Sequence, residues 1–425
     1  MTETTSTPSA TPASQPDHPR VVAARQRLER LEGFLRQDPR NNALLIDAFE
    51  TALACGEWGR AEFHLKHAQA LQLDVLAWQL REGDFWLAQQ DYEQALTVLD
   101  SLNAVPNPPP GFRDVLLHNL AYIDLKRDRL ADCIERLAPV LEAQSSKASD
   151  PASVDGTQPS VAVRALQQLW LRALHREGQF DRAMAWSVDA EQKGRIDPQA
   201  AGVASLIAID AEDFTAARRW AALSLADGSP NDRSTETLVA QASLALAARD
   251  AEQASNFADA ALQRHPGDGR ALSTKGFAAL LGNDLRGAMD AFQRALAVMG
   301  EHIGTWHGLG WTQILSGQLA EAHASFEAAL ELDRNFAESH GGLAVVLAMQ
   351  SKREQAQEHA ELALRLDKSN VSGRYAQALL SGDVKDANDL QRLARRLLGG
   401  RTAPLGGDME QIFAEEPAPV PPKNA

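Results

Sequence analysis

Apolar residues along the chain recur at three- and four-residue spacing and do not alternate, which predicts amphipathic helices and argues against strands. The pattern also repeats itself. From Ile303 to Phe336 it runs Trp306, Leu309-Gly310, Gly317-Gln318-Leu319, Ala322, Phe326 and Ala329. The matching places from Ala337 to Asn370, 34 residues on, hold His340, Leu343-Ala344, Ser351-Lys352, Ala356, Ala360 and Ala363. The same frame starts segments at Thr235 and Gly269 and, with small adjustments, at Pro198, Arg164, Asp114, Leu76 and Asn42. The twentieth residue of the nine segments is Ala61, Ala95, Cys133, Ala183, Ala217, Ala254, Ala288, Ala322 and Ala356. A column of eight alanines and one cysteine marks a place where two helices cross too closely for a larger side chain. Each segment therefore predicts two helices and a turn, the turn marked at Gly56-Glu57, Gly178-Gln179 and Gly317-Gln318. A lone hairpin cannot bury its apolar face, so the segments have to stack.

The spacing of Trp306, Leu309 and Gly310, with Ala322 and Phe326 downstream, resembles the tetratricopeptide repeat. The resemblance covers roughly residues 42–370 and is clearest from Thr235. It implies an all-α, right-handed solenoid of about nine helix-turn-helix repeats, with a concave groove lined by the first helices. The pattern departs where Leu45, Gln79 or Gln167 replaces an aromatic at the fourth position, and Pro266 is the one clear repeat-closing proline. Those departures imply variable helix angles in the first half.

Around this array the chain divides as follows. Residues 1–19 read as a disordered tail and 20–41 as an N-terminal capping helix. Repeats 1–3 span 42–147 and repeats 4–9 span 164–370, with an insertion at 148–163. That insertion belongs to the Ser-, Asp-, Gly- and Pro-containing stretch Gln144 to Ser160 and reads as a surface loop or as a hinge. Asn107-Pro108-Pro109-Pro110 reads as a stiff spacer. Capping helices are expected over 371–400, including Asn388 to Leu398, and a disordered Pro-rich acidic tail over 401–425. Within the tail, Met409, Ile412 and Phe413 stand among Asp408, Glu410, Glu415 and Glu416. They read as a short docking motif or as an inert acidic stretch.

Composition narrows the function. The 425 residues are 44% hydrophobic, enough for a continuous core, and carry a formal charge of −15. That acidity argues against a nucleic-acid partner, since such affinity comes from neutralised phosphates. No apolar run approaches the ~18 residues of a membrane span, so no membrane insertion is expected. The N-terminus lacks the basic and apolar regions of a secretory signal. Cys55 and Cys133 fit no disulfide or CxxC framework and read as packed, reduced thiols of a cytoplasmic protein.

Signatures of catalysis are missing: no GxSxG, HExxH or GxxxxGK[ST] occurs, so no enzyme activity, catalytic residue or cofactor is expected. Gly267-Asp268-Gly269 lacks the Lys-Ser/Thr of a phosphate loop and reads as an inter-repeat turn. His64 and His67 have ligand-compatible spacing, but no third ligand completes a metal site nearby.

The resemblance, together with helical periodicity, places positions 2, 5, 6, 9, 12 and 13 of each first helix on the groove. In repeats 6–9 these give an apolar set, Phe277, Leu280, Leu281, His307, Trp311, Ile314, Leu315, Val345 and Met349, flanked by Val239 and Leu246. Gly304, Gly308, Gly341 and Gly342 are expected to keep this channel open. Trp306 and Trp311, five apart, cannot share one helical face. The middle of the array is polar and basic, with Asn119 and Lys126 in repeat 3 and Arg172 and Arg176 in repeat 4. Such a strip suits a carboxylate, although only Asn119 stands where carboxylate-clamping cochaperones of the family carry a clamp residue. The expected function is a non-catalytic adaptor holding a partner peptide or segment in the groove. A dedicated chaperone for an aggregation-prone or secreted partner, and a regulatory subunit of an enzyme complex, are the alternatives.

Overall fold

The computed structural model describes residues 19–147, 161–225 and 233–383, and among these every regular element is a helix. Helix α1 (Pro19–Leu35) is followed by nine helical hairpins: α2 (Asn42–Ala54) with α3 (Trp58–Ala70), α4 (Val75–Ala88) with α5 (Tyr92–Leu102), and α6 (Phe112–Lys126) with α7 (Leu130–Lys147). Next come α8 (Val161–Arg176) with α9 (Phe180–Gln192), α10 (Pro198–Asp210) with α11 (Phe214–Leu225), and α12 (Thr235–Ala247) with α13 (Ala251–Arg264). The last three are α14 (Gly269–Leu281) with α15 (Leu285–Val298), α16 (Ile303–Leu315) with α17 (Leu319–Leu332), and α18 (Ala337–Met349) with α19 (Arg353–Leu366). A further first-type helix, α20 (Val371–Ser381), packs on α18 and α19, and α1 packs on α2. The protein is thus an all-α repeat solenoid. It divides after Ala173, inside α8, into two compact units.

Helix α7 runs on to Lys147, so Gln144 to Lys147 are helical although their composition reads as loop. Helix α8 begins at Val161, three residues ahead of the frame. The expected helix at Asn388 to Leu398, the two tails and residues 148–160 lie outside the described residues.

Each hairpin turns on one left-handed residue at the same place in the repeat. These are Gly56, Gln90, Asp128, Gly178, Glu212, Arg249, Asn283, Gly317 and Ser351, with φ between 59° and 74°. The residue after each returns its N–H to a carbonyl five places back, as in Gln318 to Gln313 (2.8 Å) and Asp213 to Ala208 (2.9 Å). That Schellman closure satisfies carbonyls left over at the helix end. Four of those following residues are aspartates, Asp91, Asp213, Asp250 and Asp284, and each accepts a backbone N–H in the first turn of the second helix. Glycine marks three of the nine turns in the sequence; the other six carry a side chain in a conformation that costs ~1–2 kcal/mol.

The alanine column is the crossing point of each hairpin. All nine residues, Cys133 included, have no exposed surface. Four places further along the second helix sits a residue that the facing helices shape themselves around. Phe326 of α17 is held between Gly310 of α16 and Gly342 of α18, where an added Cβ would lie 2.8 Å and 2.3 Å from the ring. Phe292 is held the same way between Gly276 and Gly308. Where the second-helix residue shrinks to Ala258 or Ala360, its first-helix counterpart is Ala242 or Ala344. Gly308 and Gly342 therefore close the inter-repeat core and do not keep a channel open, because ring carbons already fill the space a side chain would take.

Two stability measurements test these assignments. Gly342→Val is expected to cost ~2–3 kcal/mol by overpacking against Phe326, while Gly59→Ala, with nothing within 4 Å, is expected to be harmless or mildly stabilising. Glu212→Gly is expected to stabilise by ~0.5–1 kcal/mol, since relief of the left-handed strain exceeds the entropic cost of glycine. Urea unfolding of the three variants beside the wild type checks both.

Candidate functional site

Successive first helices are tied by hydrogen bonds between residues about one repeat apart. In the N-terminal unit, Trp78 Nε1 donates to Asn42 Oδ1 (2.8 Å) and Asn119 Nδ2 donates to Asp84 Oδ1 (2.7 Å). In the C-terminal unit, Ser273 pairs with Thr305 (2.9 Å) and His307 Nε2 with Ser339 Oγ (2.7 Å). Glu338 accepts from Asn370 Nδ2 (3.0 Å) and from the Ser372 hydroxyl. Burial pushes the Glu338 carboxyl up, against these bonds and one from Trp311.

These ties use several of the sequence-expected groove residues. His307 is buried, with Phe326 and Phe336 around its ring, and burial brings its pKa down to about 4. Val345 has no exposed surface and Ile314 is buried beside it in the core cluster around Phe326. Trp311 is half-buried, edge-on to Phe326 at 5.9 Å. Trp306 turns away from it, donating to the Gly300 carbonyl (2.7 Å). Phe277 and Leu280 are half-buried, Phe277 packing edge-on to Phe292 at 4.9 Å.

What remains on the surface is one column. Leu281, Leu315 and Met349, the last residues of α14, α16 and α18, are 38%, 61% and 44% exposed. They stand at the same repeat position, with half-buried Phe277 and Trp311 one turn behind the first two. The sequence reading missed a second exposed apolar column, Val298, Leu332 and Leu366 at the ends of α15, α17 and α19. The 34-residue offset was the signal that could have found it.

The polar strip is already occupied. Asn119 is buried and its amide is spent on Asp84, whose carboxyl burial pushes up despite that bond. The Lys126 ammonium sits 5.4 Å over the Tyr122 ring. Arg172 and Arg176 both have interaction partners within the protein, and they fall in different units. Asn119 is thus a positioning residue of the core and is not free to clamp a ligand carboxylate. Beyond Arg176, His175 Nε2 contacts Asp210 Oδ2 (2.6 Å), and Arg270 grips both oxygens of Asp210 (2.8 and 2.6 Å). Burial opposes ionisation of Asp210, but the bonds from His175 and Arg270 outweigh it and hold the carboxyl below the ordinary range. Arg270 lies 60 residues from Asp210, so adjacent-repeat spacing gave no signal for the pair.

The N-terminal unit holds a cleft of about 660 Å³. Leu76, Ala77, Leu80 and Arg81 of α4, Phe112, Val115 and His118 of α6, and Ala165 of α8 line it. Asp74 and Pro109-Pro110-Gly111 complete the wall, the two prolines belonging to the stretch that reads in sequence only as a spacer. Arg81 stands at its edge, bonded to Glu50 (3.1 Å) and lying 5.6 Å over the Trp78 ring. His64 and His67 serve the junction with α1: His64 Nε2 meets Glu32 Oε1 (3.2 Å), and His67 Nε2 meets the Pro39 carbonyl (3.0 Å). Among the described residues no three ligating side chains converge on a metal position.

The buried His307 makes stability depend on pH. Its folded pKa lies below the ordinary 6.5, so the unfolded chain takes up a proton first as pH falls. The contribution of this group to stability is full above 6.5 and is lost between 6.5 and about 4. Thermal midpoints across that window are expected to fall less steeply for His307→Gln than for the wild type.

The tetratricopeptide repeat model matches residues 303–336, the α16–α17 hairpin. A search of curated proteins found no match. Among solved structures, MamA is 20% identical, with a TM-score of 0.32 over 39% of this chain and 88% of its own. YrrB, described as a TPR protein with an unusual peptide-binding site, is 17% identical, with a TM-score of 0.34 over 46% of this chain and 98% of its own. A mutant O-GlcNAc transferase from Thermobaculum terrenum is 23% identical, with a TM-score of 0.30 over 31% of this chain and 26% of its own. Residues 303–336 thus match the tetratricopeptide repeat, and the turn and the buried column of that hairpin recur through the nine hairpins of the described residues.

Proposed function

We propose that the protein is a non-catalytic interaction scaffold that holds an apolar segment of a partner protein along the Leu281, Leu315 and Met349 column. The supporting observation is the exposure of these three large side chains at one position of three successive first helices. Their equivalents in the third, fourth and fifth hairpins are Lys126, Arg176 and Asp210. Scattered surface leucines need no explanation; a periodic line of them on the helices that face a repeat groove does. An apolar partner face presenting residues at helical spacing is the natural complement, since it would bury the column while the half-buried Phe277 and Trp311 rings support it from behind.

A cytoplasmic setting belongs to the same proposal. Both thiols are buried and unpaired, which suits a reducing compartment, and no helix among the described residues is long and apolar enough to cross a membrane.

The test is co-purification from the native cell with wild type, Leu315→Glu/Met349→Glu and the control Phe63→Glu. Each changes only exposed side chains, so the circular dichroism of all three is expected to agree. The double variant is expected to lose proteins that wild type and control retain. Equal capture by all three would remove the column from the site.

A further inference from the structure

The bonds of Trp78 with Asn42, Asn119 with Asp84 and His307 with Ser339 join neighbouring hairpins. The pair of Asp210 and Arg270 does not. Asp210 is the last residue of α10 in the fifth hairpin and Arg270 the second residue of α14 in the seventh, and their two bonds (2.8 and 2.6 Å) skip the sixth. Were α10 and α14 stacked with parallel axes, roughly 16 Å of helix rise and two helix spacings of ~8–10 Å would separate these residues. That is far beyond the reach of an arginine, so the contact exists only within a narrow range of inclinations of the seventh hairpin to the fifth. We infer that the pair is a brace across α12 that holds the angle between the fifth and seventh hairpins, the sixth hairpin being the joint that yields when the brace is released.

The sixth hairpin is built as a softer joint than those beside it. The buried residues of its second helix, α13, are Ala254, Ala258 and Ala261, and Phe257 is only half-buried. The second helices on either side bury an aromatic ring: Trp186 in α9, Trp220 in α11, Phe292 in α15 and Phe326 in α17. A joint of alanines interlocks less than one wedged by a ring, so it opens at lower cost. The brace, by contrast, is well specified. Arg270 meets the carboxylate through two nitrogens, a geometry that fixes direction as well as distance, and His175 of the fourth hairpin contacts the same carboxylate (2.6 Å). The side chains of Arg270 and Asp210 keep 40% and 22% of their surface exposed, so the pair can be released without dismantling a core. His302, at the start of α16, stands beside them with its Nδ1 spent on Thr305. Burial first, and then the charge of Arg270, hold the His302 pKa down despite Asp210, so near neutral pH it adds no second cation there. All of these residues lie in the C-terminal unit.

Any group that draws Arg270 off Asp210 therefore changes the angle while the hairpins stay folded. The test is pulsed electron spin resonance on the full-length protein with spin labels at Thr215→Cys of α11 and Gln293→Cys of α15. Both positions are exposed and the two native thiols are buried. Arg270→Met and the isosteric Asp210→Asn are each compared with the labelled protein otherwise unchanged. The control is Arg219→Met, which severs the similarly exposed contact of Arg219 with Glu191 between the neighbouring fourth and fifth hairpins. Both brace variants are expected to shift and broaden the distance distribution at unchanged helicity, and the control to leave it as it is. A distribution that neither brace variant moves overturns the inference. An equal response to Arg219→Met, a response to only one brace variant, or a loss of helicity overturns it too, since each assigns the pair to ordinary packing.

Discussion

Everything in this protein hangs on the closeness of two helices at one point of each repeat. The residue there is alanine in eight hairpins and cysteine in one, and in all nine it is sealed from solvent. Because the axes approach so closely, the residue four places on is pressed between the first helix of its own repeat and that of the next. Phe326 is the clearest instance, its ring lying where Gly310 and Gly342 would carry a Cβ. The same ring receives Trp311, His307 and the wall of the inter-repeat core. Packing within a hairpin and packing between hairpins are therefore one constraint.

That constraint explains how the sequence could be read and where it misled. The frame was legible because a crossing that tolerates only small residues leaves a column of alanines, whatever the surface does. Helices start at Asn42, Pro198, Thr235, Gly269, Ile303 and Ala337, the segment starts of the sequence frame. Six of the nine turns were silent, because Gln90, Glu212 or Arg249 in a left-handed conformation carries no local mark. Only their position fourteen residues after each start identifies them.

The candidate surface was less legible than the fold, for a physical reason. Helical periodicity says which side a residue faces but not how closely the next helix stands. Val345 and His307 hold groove positions in the periodic frame, yet both are buried, His307 against Phe326 and Phe336. Leu281, Leu315 and Met349 escape because they are the last residues of their helices. Asn119 was misjudged in another way: its partner Asp84 lies 35 residues back, on the preceding first helix. The cleft walled by Pro109 and Pro110 was invisible, since a spacer becomes a wall only once its flanking helices are placed.

The described hairpins are thus tightly packed where repeats interlock and apolar at the surface along two lines of helix ends, of which the first-helix line Leu281, Leu315 and Met349 is the one proposed to hold a partner. That the line is a contact surface can be tested most directly with a photoreactive amino acid at position 315, irradiated in the living cell, beside a control at the equally exposed Phe63. Position 315 is expected to yield discrete adducts to another protein, and position 63 none. Adducts at 63 with none at 315 would contradict the account.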